Sequence, residues 1–209
     1  MMVNKDPYVL LVGTSLRSAR YGKAKESLLS EIKKISSRDE LNLYLKEQAV
    51  LHYDSFHEEF ESEKSYFKRY QSFRKHQLKK GLSNSEVGLA AAAWELKNSG
   101  IKSEFFNVNE LLHIDSFEVS QNEVIKLKKI IKNSAAIILS TPVYFGDRSS
   151  LAQLFIDLCY SIFEEGFSFE NKFFAACSSG AKRNGGQETT LVYLGQDFLK
   201  LGFKLVGND

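Results

Sequence analysis

At 209 residues, 43% of them hydrophobic and 26% charged, the chain can bury one sizeable core and is short for two. A formal net charge of +2 gives no electrostatic reason to expect nucleic acid or an anionic membrane as partner. No apolar run approaches the ~18 residues of a membrane span, the first residues lack a signal-peptide pattern, and the two cysteines, Cys159 and Cys177, form no metal or redox spacing. The expectation is one soluble, cytoplasmic domain over residues 1–209, with both thiols buried and reduced.

In chain order, Tyr8–Val12 is apolar, ends at Gly13 and reads as the first strand. The loop after it, GTSLRSARYG, offers what a phosphate needs directly after a buried parallel strand: small hydroxyl residues, free backbone N–H groups and the fixed charge of Arg17. An ordinary polar loop with a surface arginine has the same composition. No glycine lies between Gly22 and Gly81 and no proline between Pro7 and Pro142, so the next stretch is expected to be helical. Leu28, Leu29, Ile32 and Ile35 keep one helical stripe; Tyr53, Phe56, Phe60, Phe67 and Tyr70 keep another. The second segment is acidic first and basic last, as a solvated, dipole-matched face would be. Its basic-aromatic part, YFKRYQSFRKHQLKK, could alternatively contact a partner protein; nucleic acid is not expected. His52, His57 and Glu58 do not share a helix face and read as surface residues, not metal ligands.

Ser83-Asn84-Ser85 offers an N-cap to a helix predicted over Ser85–Ser99, and Ile101–Val108 follows as the second strand. A helix over Gln121–Lys132 leads to a third strand, Ala135–Leu139, which the apolar run marks as buried on both faces. Pro142 is expected to end it, Gly146 to allow an unusual backbone angle, and Ser149 or Ser150 to cap the next helix, Leu151–Phe163. A fourth strand, Lys172–Cys177, runs into the Gly-rich loop SSGAKRNGGQETT; a helix over Thr189–Leu201 and a last strand, Phe203–Val206, complete the pattern. Strand and helix alternate five times, which argues a parallel sheet covered on both sides.

Helix Ser85–Ser99 joins Ile101 with the short connection typical of α/β units, so it is the first crossover helix. The residues at about 19–80 are then a helical insertion that splits the first loop into Gly13–Arg17 and Ser83–Ser85. Three ligand-suited loops follow strands one, three and four, at the edge where open α/β sheets bind ligands, and a flat aromatic cofactor is expected there.

STPVYFGDRSSLAQLFID resembles the TPVYxGxxSxxLKxFID segment of the NADPH-dependent FMN reductases, flavodoxin-like proteins related to the tryptophan-repressor-binding-protein-like quinone reductases. CSSGAKRNGGQETTLVYLGQDFLKLGFKLVG resembles their SxGGxxGGQExTLxxLxxxLxxLGxxVVG segment, while GTSLR and GLSNSEVGLAAAAWEL resemble the two parts of their phosphate loop. The resemblance implies a flavodoxin-like three-layer α/β/α sandwich on a five-stranded parallel sheet of order 2-1-3-4-5. It also implies FMN at the sheet's carboxyl edge, with the phosphate on Ser15, Arg17, Ser83, Asn84 and Ser85 and the ring on Thr141, Pro142, Val143, Tyr144, Phe145, Gly146, Ser178, Ser179 and Gly180. NADPH or NADH would be the hydride donor, a flavin, quinone or other small molecule the acceptor, and the protein a homo-oligomer. The cofactor carries the chemistry, so no catalytic side chain is named.

The sequence departs from the family in its split phosphate loop, in Phe145, in the charges of Asp147 and Arg148 near the ring edge, and in Lys182, Arg183 and Asn184, where the family often has glycines. Lys182 and Arg183 either read the 2′-phosphate of NADPH or face solvent. Nothing after Val206 supplies the family's usual final helix, leaving that edge to the inserted helices or to a second subunit. An oxidoreductase, an electron carrier or accessory subunit docking a protein through the insertion, and a flavin-free scaffold are the three readings in play.

Overall fold

Strand β1 (Val9–Gly13) is buried along its whole length, which places it inside the sheet. Parallel partners flank it: β2 (Ser103–Asn107) from Val9↔Ser103 to Gly13↔Asn107, and β3 (Ala136–Tyr144) from Val9↔Ala136 to Gly13↔Ser140. β3 also pairs antiparallel with the two-residue β4 (Asp147–Arg148); β5 (Phe173–Ser179) lies beyond β3, and the two-residue β6 (Lys204–Leu205) beyond β5. The parallel strands run β2-β1-β3-β5-β6, the flavodoxin-like order 2-1-3-4-5 that the sequence leads one to expect. This computed structural model describes residues 7–18, 23–58, 81–113 and 118–207, together with residues 65, 68 and 116.

Alternation along β1 feeds two cores. Leu10 and Val12 join Ile137, Leu139 and Phe174 beneath α4 (Gln121–Asn133), α5 (Ser150–Glu164) and α6 (Gln187–Lys200). There Phe174 stacks on Phe198 with ring centroids 3.6 Å apart. Val9 and Leu11 join Phe105 on the other face, beneath α1 (Lys23–Lys34), α2 (Arg38–Glu58) and α3 (Asn84–Asn98). The small Ala90 and Ala93 let α3 lie close to the sheet, and both are buried. Among the described residues no helix is long and apolar enough to cross a membrane.

Three expectations change. β3 continues through Pro142 to Tyr144 instead of stopping at Leu139. β1 ends opposite Ser140, so beyond that point β3 has lost its neighbour on that side and an imide nitrogen forfeits no bond there. The second inserted helix starts at Arg38, well before Tyr53, capped by Ser37, whose Oγ accepts from Glu40 N while Glu40 Oε2 accepts from Ser36 and Ser37. Its docked face is Leu41, Tyr44, Leu45 and His52, whereas Tyr53 is 63% exposed; Phe60, Phe67, Tyr70 and the basic-aromatic stretch from Tyr66 to Lys80, apart from Lys68, lie outside the described residues. Among the described residues the inserted helices do not screen the last strand: α1 packs on α3 and β2, at the opposite edge from β6.

Candidate functional site

Both serines at the ends of the split loop are set by local chemistry. Ser83 is the N-cap of α3 in a full capping box, donating its backbone N–H to Glu86 Oε2 at 2.9 Å. Glu86, fully buried, also accepts from Asn107 Nδ2 at 3.2 Å, which ties the cap to the end of β2. The first two backbone N–H groups of the helix, those of Asn84 and Ser85, have no acceptor among the described residues, which leaves two donors at the helix start. In the other half of the loop, Ser15 Oγ accepts from Arg17 N at 3.1 Å and Ser15 O from Ser18 N at 3.1 Å, a tight turn after β1.

Buried hydroxyls lock the neighbouring loops together. Thr14 Oγ1 donates to Ser140 O at 2.9 Å, Ser149 Oγ to Thr14 O at 2.7 Å, and Ser149 N to Thr141 Oγ1 at 3.1 Å. Ser149 is also the N-cap of α5, accepting from Ala152 N, so one hydroxyl joins the β1 loop, the β3 loop and a helix start. Ser85 Oγ and Ser179 Oγ stand 3.3 Å apart, linking α3 to the β5 loop. Gln187 shapes that loop, accepting from Gly185 N at 2.8 Å and donating to Lys182 O at 2.7 Å.

These contacts frame a cleft of about 240 Å³ at the carboxyl ends of β1, β3 and β5. Ser15, Arg17, Ser83, Asn84, Ser85, Pro142, Val143, Tyr144, Ser179 and Gly180 line it, so the residues expected for phosphate and most of those expected for the ring converge. Four do not line it. Thr141 is buried in the hydroxyl network, Ser178 donates to Gln187 O at 3.1 Å, and Phe145 and Gly146 form the turn between β3 and β4. Both turn residues have positive φ, 53° for Phe145 and 84° for Gly146, as a type I′ hairpin demands, and Phe145 is fully exposed. Arg148 forms an ion pair with Asp197 of α6, and Lys182 and Arg183 are exposed. A larger cleft of about 680 Å³, walled by Leu29, Ile32, Ala93 and Ile101, lies at the opposite end of the strands, away from every one of these loops.

The insertion contributes what the sequence did not reveal. Ala49, His52 and Tyr53 of α2 line the same cleft, as does Ala181. His52, read as a surface residue, is instead 7% exposed, and its Nε2 lies 2.8 Å from Arg17 O. A lone histidine on a helix carries no such signal until the helix's docked face is known. Cys159 and Cys177 are free thiols, the first buried and the second half-buried, and burial raises both above the usual thiol range.

The model of the NADPH-dependent FMN reductase family matches residues 77–207. An iron-sulfur flavoprotein of Methanocaldococcus jannaschii is 36% identical over 88 residues, 42% of this chain and 45% of that one. An NAD(P)H dehydrogenase (quinone) of Acidovorax ebreus is 31% identical over 98 residues, covering 47% and 48% of the two chains. The chain thus spans about half the length of these curated relatives. Among solved structures, a WrbA-like flavodoxin from Agrobacterium tumefaciens aligns with 95% of this chain and 75% of its own at 14% identity, with a TM-score of 0.42. The chain belongs to the NADPH-dependent FMN reductase family, the match covering more than half of it.

Proposed function

We propose that this member of the family is an FMN-binding NAD(P)H-dependent oxidoreductase acting on a small acceptor such as a flavin or quinone. One observation carries the reading: hydroxyl, guanidinium and helix N-terminal N–H donors from distant segments meet at the strand-order switch between β1 and β3. Those donors suit a dianionic phosphate ester, and Pro142–Tyr144 and Ser179–Ala181, lining the same cleft, would flank a ring. When bound, FMN supplies two-electron hydride chemistry between NAD(P)H and the acceptor. The chain's own part is to grip and orient. Ser15, Arg17 and the start of α3 would fix the phosphate, Ser85 and Ser179 the junction between phosphate and ring, and the β3 loop the ring plane. The two cysteines of this sequence, Cys159 in α5 and Cys177 in β5, have no part in the proposal.

A second reading, an electron carrier docking a protein through the insertion, draws support from Leu43, Val50 and Leu51, which are exposed along α2. The visible spectrum of the purified protein with FMN separates the possibilities. Flavin absorbance retained through gel filtration and bleached rapidly by anaerobic NADPH supports the oxidoreductase. Retained flavin without bleaching supports the carrier, and no retained flavin refutes both.

A further inference from the structure

In a compact phosphate loop, covalent connection keeps the two donor-bearing halves in register. Here the chain leaves after Ser18 and returns at Gly81, so something else must hold Ser15 and Arg17 opposite Ser83–Ser85. Helix α2 lies across both ends. Its Gln48 O accepts from Leu82 N at 3.0 Å, next to the cap residue of α3. One turn later His52 Nε2 meets Arg17 O at 2.8 Å. A carbonyl only accepts, so Nε2 carries the proton and the imidazole is the donor. The contact at Gly81 is close enough that a Cβ there would sit 1.9 Å from Gln48 O, so the helix is seated on the second half of the loop by main chain against main chain. Buried His52 then reaches from that seat to the first half.

We infer that His52 is a positioning residue for the phosphate end of the site: its Nε2–H, on the helix already bonded to Leu82, sets the Arg17 main chain against the start of α3 so that the two halves of the split loop address one anion. The inference rests on the reading that FMN binds in this cleft. It assigns the insertion a task within the site, separate from any partner it docks. His52 Nε2 bonds the phosphate half of the cleft at Arg17 O, whereas the ring side is built by β3 and β5. Phosphate recognition is therefore the part of binding that should depend on it.

The test compares FMN with riboflavin, which lacks the phosphate, by fluorescence titration of the wild type, His52→Ala and His52→Gln. His52→Ala should bind FMN roughly tenfold more weakly, the cost of one buried hydrogen bond to a carbonyl, with riboflavin affinity within about twofold. His52→Gln, whose amide can donate at similar reach, should recover most of the loss. Should His52→Ala fail to fold, His52→Leu, apolar and without a donor, replaces it. Equal weakening of both ligands, or no weakening of either, overturns the inference while leaving the flavin reading intact. A wild type that binds FMN no more tightly than riboflavin overturns both.

Discussion

Replacing Gly81 by Ala tests whether the insertion is truly seated on the core. The added Cβ would lie 1.9 Å from Gln48 O, 2.9 Å from Gln48 C and 2.8 Å from His52 N, all backbone atoms of α2 that no side-chain rotation can move. To reach ordinary contact the helix must retreat by roughly 1.5 Å, since real Cβ contacts close in only to about 3.4 Å. That retreat stretches the 3.0 Å bond from Leu82 N beyond hydrogen-bonding range. Leu82 is fully buried, so its orphaned N–H costs about 1–3 kcal/mol. Loosened packing of Leu41 and Leu45 against Trp94 and its neighbours raises the total to about 3–5 kcal/mol. At 2–4 °C per kcal/mol for a chain of this size, Tm should fall by roughly 6–20 °C in a thermal melt followed by circular dichroism. Gly207→Ala, where nothing lies within 4 Å, serves as the control and should leave Tm unchanged. A Gly81→Ala protein melting within about 2 °C of wild type would refute the close seating of α2.

Three other outcomes are expected. Arg17→Ala should weaken FMN binding roughly 10–100-fold, the worth of a charge-assisted phosphate contact, with little change for riboflavin; isothermal titration measures both, and unchanged FMN affinity places the phosphate elsewhere. Phe145→Asn should stabilise by about 0.5–1 kcal/mol, because asparagine tolerates a φ of 53° that strains phenylalanine and the fully exposed ring loses no packing; a lowered midpoint in urea denaturation contradicts this. Lys172, whose Nζ donates to Lys132 O and Ser134 O, has its pKa lowered to about 8 by burial. Between about pH 8 and 10 the unfolded chain holds this proton more tightly than the folded one, so stability gains with rising pH. The stability of wild type relative to Lys172→Met should therefore grow over that window, and a flat difference would contradict the assignment.

Much of the architecture was readable because each strand and cap announces itself locally. Ser83 and Ser149 cap the helices expected of them, and Leu28, Ile32 and Ile35 bury the stripe that their spacing predicts. What stayed hidden depends on tertiary phase. The docked face of α2 mixes Leu41, Tyr44 and Leu45 with Gln48 and His52, so its polarity pattern points nowhere in particular, and of the aromatic stripe that stood out in the sequence only Tyr53, largely exposed, has a described side chain. Pro142 misled for a related reason. A proline is excluded from a strand only where the partner needs its N–H, and where β1 stops is not written in the residues of β3. Thr14, Ser140 and Ser149 look like loop polarity in sequence; only their mutual bonds make them a fastener.

Because helix α2 is bonded to Arg17 and to Leu82 from positions four residues apart, about 6 Å along its axis, the long detour departs and rejoins the sheet at nearly the same place. Topologically it behaves as a cartridge slotted into a socket, not as a spacer that stretches the scaffold. A version in which a few residues bridge that gap should still assemble its strands, and comparing it with the full-length molecule would isolate what the cartridge adds to the grip on flavin.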